Sequence, residues 1–135
     1  MNRSKILLAQ EFSVIADSAE ALSCYDVIAM STLAQAQRAI LDDDIDVFVI
    51  GIHFDDSNAL DLVRQIRSCQ KHYCKPVILI RVLPSQFAKT LKHSVMAVQK
   101  LYDIADYLEL EQSDDPALEL CEAIDYQLEK SQTAA

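Results

Sequence analysis

One glycine, Gly51, serves a chain of 135 residues. That scarcity excludes the glycine-rich loops that cradle nucleotide phosphates, because such loops need several glycines in one turn. Three prolines are the only other strong chain breakers, and no internal repeat or low-complexity segment is visible. Long apolar runs are missing too. VFVIGI (47–52) and VILI (77–80) fall far short of the roughly 20 residues that cross a bilayer, and the start MNRSKILLAQEF has no apolar stretch of signal-peptide length. A cytoplasmic protein without membrane contact is therefore expected. Positive charge is scarce as well: 12 Lys and Arg stand against 21 Asp and Glu, a formal net charge of −9. So acidic a chain repels phosphate backbones, which argues against nucleic-acid binding. The acidic clusters Asp42–Asp46, Asp55–Asp56 and Glu109–Asp115 read as solvated loops.

Four cysteines are present, at 24, 69, 74 and 121. Without a secretion signal they read as reduced, partly buried small hydrophobes. Cys69 and Cys74 flank His72, but the C-x4-C spacing is loose and no second ligand pair follows. No metal and no cofactor are expected.

What is present is a regular alternation. KILLA (5–9) reads as a strand, and 11–23 as a helix with Phe12, Ile15, Ala19 and Leu22 on its apolar stripe. YDVIAM (25–30) is a second strand. Thr32 and Gln35 form a capping-box pattern before a helix carrying Leu33, Ala36 and Ile40. Residues 46–52 are apolar on consecutive positions, as a parallel strand covered on both faces requires. Ser57 or Asn58 caps the next helix, with Ala59, Leu62, Val63 and Ile66 inward. A fourth strand follows at 77–82, then a long helix from about 85 to 104 marked by Phe87, Leu91, Val95, Val98 and Leu101. The fifth strand is 106–110. Asp115 then caps a last helix with Pro116 in its first turn, buried along Ala117, Leu120, Cys121, Ile124 and Leu128. The expected fold is α/β: a doubly wound five-stranded parallel sheet with helices on both sides. It forms one domain over 1–135, with a core of about 4–130 and a flexible tail at 131–135. In such a sheet the site lies beyond the carboxyl ends of the strands, at the switch point beside the first strand.

Four stretches, in this order, resemble the receiver domain of bacterial two-component response regulators: KILLAQE, DVFVIGIHFDDSNALDLVRQIR, KPVILIRV, and ADYLEL followed by DDPALELCEAI. The resemblance implies a flavodoxin-like (βα)5 three-layer sandwich. It also implies a chemistry. An aspartate ending strand three becomes an acyl phosphate, and carboxylates after strand one help it hold Mg²⁺. A Ser or Thr after strand four and a Lys after strand five hold the phosphoryl oxygens.

Position by position, the resemblance places Gly51 where the aspartate stands and Gln10 with Glu11 where the acidic pair stands. Arg81 takes the Ser/Thr position, and Leu110 followed by Glu111 replaces the Lys-Pro pair. The site is expected to be degenerate, with no catalytic residue. Arg81 either pairs with Glu11 as a fixed positive charge or snorkels outward from its strand end. Asp55 and Asp56 are the alternative phosphoacceptors, against a role as solvated acids or helix N-terminal charges. His53, on the rim of the same pocket, is a proton donor, a ligand or a packing residue. An acid–base set of Glu11, His53 and Asp55 or Asp56 lacks a nucleophile motif.

Between Arg81 and Tyr107 the chain is longer than typical receivers. Lys89, Lys92, His93, Lys100 and Tyr107 mark an interaction face there, unless the longer helix merely covers its own sheet. The expected function is that of a phosphorylation-independent signalling module, not an enzyme. Its partner is a signalling protein, an output domain or a second copy bound through helix four, strand five and helix five. The alternative is a small-molecule sensor binding in the vacated crevice.

Overall fold

The computed structural model describes residues 3–55, 58–83 and 88–133, giving the backbone alone at 88–92 and 132–133. Five strands alternate with five helices: β1 (Lys5–Ala9), α1 (Ile15–Ala21), β2 (Asp26–Met30), α2 (Leu33–Asp42), β3 (Val47–Gly51), α3 (Ala59–Ser68), β4 (Val77–Arg81), α4 (Ala88–Tyr102), β5 (Asp106–Glu109) and α5 (Pro116–Thr133). The strands form one sheet in the order β2-β1-β3-β4-β5, and each of the four strand pairs is parallel. This is the doubly wound order that turns back at β1/β3.

The central strands are apolar throughout because both faces are covered. Leu7, Ala9, Phe48, Ile50, Val77 and Leu79 pack with Ala36, Ile40, Leu62, Val63, Ile66 and Val95 in the layer made by α2, α3 and α4. The alternate residues Ile6, Leu8, Val47, Val49, Ile78 and Ile80 pack with Leu22, Leu120 and Ile124 from α1 and α5. Burying each of the larger side chains, Val, Leu, Ile or Phe, contributes about 1.5–3 kcal/mol, so this alternation accounts for the fold's cohesion.

Caps set several boundaries. The Thr32 hydroxyl accepts from the Gln35 amide at 3.3 Å, the first half of the expected capping box, while Gln35 Oε1 accepts from the amide of Ser31 rather than that of the N-cap Thr32. Asp115 Oδ1 accepts from the Leu118 amide with Pro116 opening α5. Asn58 holds the N-cap position of α3 without a side-chain hydrogen bond; Ser57, the other candidate, lies outside the described residues.

Several boundaries differ from expectation, and four of them bear on the helices and the site. The α1 helix starts at Ile15, after a turn closed by the Val14 amide on the Glu11 carbonyl, and Phe12 is exposed rather than part of the buried stripe. The α4 helix stops at Tyr102 because Asp103 adopts φ 54°, the left-handed region that ends helices. Of its expected markers, Leu101 is exposed, while Phe87 and the Leu91 side chain lie outside the described residues. Leu110 leaves β5 for a single 3-10 turn over Leu110–Gln112. Finally, α5 continues through Thr133, so residues 131–133, expected to fray, remain helical. No helix among the described residues is long and apolar enough to cross a membrane.

Candidate functional site

The carboxyl ends of β1, β3, β4 and β5 bring together Gln10, Gly51, Arg81, Glu109 and the 3-10 turn. Gln10 follows β1 and is pinned by its amide to the Met30 carbonyl at 3.1 Å. Its side chain is 2 % exposed, and its Oε1 accepts from the Glu11 amide at 2.9 Å. This fold of the side chain lays the carboxamide directly over the Cα of Gly51. A Cβ built on Gly51 would meet Gln10 Oε1 at 2.0 Å and Cδ at 2.6 Å. Gly51 does not have a positive φ, so close approach rather than backbone conformation is what calls for glycine here.

Arg81 ends β4 with its side chain 1 % exposed. The parallel register sets it opposite Glu109, and the 3-10 turn swings Glu111 back toward it. Its Nη2 donates to Glu109 Oε2 and Glu111 Oε1. Both sequence-based placements of Arg81 are thereby corrected: it neither reaches Glu11 nor snorkels outward, because two nearer carboxylates hold it inside. Burial works against its charge, but the hydrogen bond it donates to Glu111 and the charges around it raise its pKa on balance.

Tyr107 is half-buried and packs on the α2–α4 layer rather than standing on an exposed face. Burial raises its pKa against the opposing pull of Arg81. Its hydroxyl, Gln10 Nε2, Arg81 Nε and Nη1, and Glu111 Oε2 are buried without a hydrogen-bond partner. Leu110, at the position where the resemblance expects lysine, is buried in the α1–α5 layer.

The loop after β3 turns inward. Phe54 is fully buried, its amide bonded to the Gly51 carbonyl at 3.0 Å. Asp55 takes φ 44° and its Oδ2 accepts from the Leu33 amide at 2.7 Å, so it caps α2 instead of projecting into solvent as an acceptor. Asp56 lies outside the described residues. His53 lines a separate, mostly apolar depression of about 230 Å³ with Ile52, Ala59, Leu60, Leu79, Ser94, Val95 and Val98. His53 and Asp55 thus have different surroundings, one at this depression and the other at the start of α2. On the interaction face His93 and Lys100 are exposed, while the side chains of Lys89 and Lys92 lie outside the described residues. Sequence reasoning missed Glu109 and Phe54. The first was legible in the strand register opposite Arg81, the second as a lone aromatic between His53 and two aspartates.

His72 is buried by a fold contact. Its Nε2 accepts from the Ile45 amide at 3.1 Å and its ring meets Phe48 edge-on at 5.3 Å. No group of three or more His, Cys, Asp or Glu among the described residues is arranged to hold a metal.

No family model and no curated protein matches the sequence. Solved structures do. A CheY-like response-regulator receiver domain from Methanospirillum hungatei superposes with TM-score 0.77 at 18% identity, over 99% of this chain and 100% of that one. The signal receiver domain of an HD-domain protein from Pseudomonas fluorescens gives 0.75 at 16% identity, over 98% and 99%. The receiver domain of a sensor histidine kinase from Pseudomonas aeruginosa, with magnesium in its active-site cleft, gives 0.68 at 19% identity, over 95% and 98%. This chain has the receiver fold. Within that receiver fold the residues present do not fit a magnesium–phosphoryl site. The Gln10 carboxamide covers Gly51, and the carboxylates of Glu109 and Glu111 are engaged by Arg81.

Proposed function

We propose that this chain is a phosphorylation-independent receiver-fold signalling module, without phosphotransfer chemistry of its own, that acts through contacts with other proteins. It serves as a stand-alone adaptor or as the regulatory part of a longer signalling protein. The observation that carries this reading is the Gln10 carboxamide folded over Gly51. That packing replaces a nucleophile and its approach space with a buried, uncharged side chain. The Arg81–Glu109–Glu111 cluster supports it, because the two carboxylates beside the guanidinium repel an incoming phosphoryl group. The same packing disfavours a small-molecule sensor in this crevice, since Gln10 occupies the space a ligand would need.

The partner-facing surface in this reading is α4, where His93, Met96, Ala97, Lys100 and Leu101 are exposed at helical spacing. On an acidic protein this mixed apolar and basic stripe suits another protein's surface.

The test is exposure to acetyl phosphate or beryllofluoride with Mg²⁺, read by amide chemical shifts and tyrosine fluorescence. The expected result is no Mg²⁺-dependent change and no phosphate retained on the chain. A saturable, Mg²⁺-dependent response would overturn the reading.

A further inference from the structure

We propose that Cys24 and Cys121 form a thiol–disulfide exchange site that takes a low-molecular-weight disulfide and closes into an intramolecular bridge. Cys24 sits in the tight turn between α1 and β2 and is exposed; Cys121 lies in the second turn of α5 and is partly buried. The turn is built from amide–carbonyl bonds of Leu22 to Ala19, Ser23 to Glu20 and Tyr25 to Leu22. Two contacts draw α5 onto it. The Cys121 thiol donates to the Ala21 carbonyl at 3.4 Å, and the Tyr25 hydroxyl donates to the Cys121 carbonyl at 3.3 Å. Ala21 and Tyr25 bracket Cys24 in the chain, so both anchors hold Cys121 beside the stretch that carries the other thiol. Tyr25 is further tied to α5 by Asp125 Oδ1 at 2.6 Å. Burial raises the Cys121 pKa, and Cys24 nearby adds to that rise.

These environments assign the order of attack. The solvent-facing Cys24 thiolate attacks one sulfur of the small disulfide, and the other half leaves as a thiolate. Cys121, once deprotonated, attacks the Cys24 sulfur and expels the second half. Two protein thiols become one disulfide, and the small disulfide is reduced to two thiols that carry away the protons. Because Cys121 resists deprotonation, closure is the slow step and accelerates as pH rises. The bridge closes a loop over most of the chain, from residue 24 to residue 121 of 135, so it constrains the unfolded state and raises the unfolding midpoint.

The experiment incubates the full native chain with oxidised glutathione and maps the product by peptide mass. The expected product has lost two hydrogens and two of its four free thiols, contains a Cys24–Cys121 cross-linked peptide, melts higher, and reverts with dithiothreitol. In Cys121→Ser a glutathione adduct should persist on Cys24. Cys24→Ser, which changes an exposed side chain and leaves the fold intact, should abolish the bridge. A native chain that stops at the glutathione adduct would overturn the proposal. So would cross-linking through Cys69, Cys74 or a second molecule, or loss of two thiols in Cys24→Ser.

Discussion

Gly51 and Gln10 are best understood as one packing unit: the carboxamide lies where a Cβ would be. Gly51→Ala forces the buried Gln10 side chain off its hydrogen bond to the Glu11 amide, and overpacking of this kind costs about 1–3 kcal/mol. In a Gln10→Ala background the same change should become neutral or slightly stabilising, since alanine also lowers the entropy of the unfolded chain. A double-mutant cycle by urea denaturation measures this, and additive costs would contradict the packing. Arg81 is the second residue-scale case. Arg81→Ala leaves Glu109 and Glu111 without the cation between them, and breaking a buried pair this way costs about 3–5 kcal/mol. Guanidinium titrations of the variant check it; a loss under about 1 kcal/mol would place the ion pairs at the surface instead. Gly51 and Arg81 were identifiable from the chain because the strand pattern puts them at strand ends. Their actual partners were not, because Gln10 and Glu111 reach the site through side-chain rotamers and a 3-10 turn that no periodicity encodes.

At the scale of elements, the loop after β3 shows how an acidic run can be structural. Asp55 and Asp103 are the two non-glycine residues with positive φ among those described, which a chain nearly without glycine assigns to aspartate, one of the residues that tolerate this region. Asp55 also caps α2. Asp55→Asn keeps the acceptor and the backbone preference and should cost little. Asp55→Ala loses both and should cost about 1–2 kcal/mol, a difference that thermal melts of the pair resolve. The sequence pattern marked all five strands and all five helices. It placed the start of α1 too early because Phe12 fits a helical stripe by spacing alone, and only the turn at 11–14 takes that side chain into solvent.

At the scale of the molecule, His72 bridges two segments, accepting from the Ile45 amide at the entrance to β3 while packing against Phe48. Burial lowers its pKa below the ordinary 6.5. The folded state therefore binds a proton less readily than the unfolded chain, and this contribution is present above about 6.5 and lost as pH falls through it toward the lower folded value. Denaturation midpoints should decline from pH 7 to pH 5 in the native chain, with a shallower decline in His72→Gln, whose side chain can still accept from Ile45. Equal slopes would remove His72 as the source.

The amino-acid sequence by itself determined the layer architecture. Consecutive apolar runs at 47–50 and 77–80 require cover on both faces, and alternation with amphipathic helices leaves a parallel, doubly wound sheet as the consistent arrangement. It also determined that no aspartate stands at Gly51. Only the tertiary structure decided what fills that place, which carboxylates hold Arg81, and that Asp55 faces a helix end. Those outcomes depend on where strand ends, turns and rotamers meet in space, and contacts between residues far apart in sequence leave no local pattern in the chain.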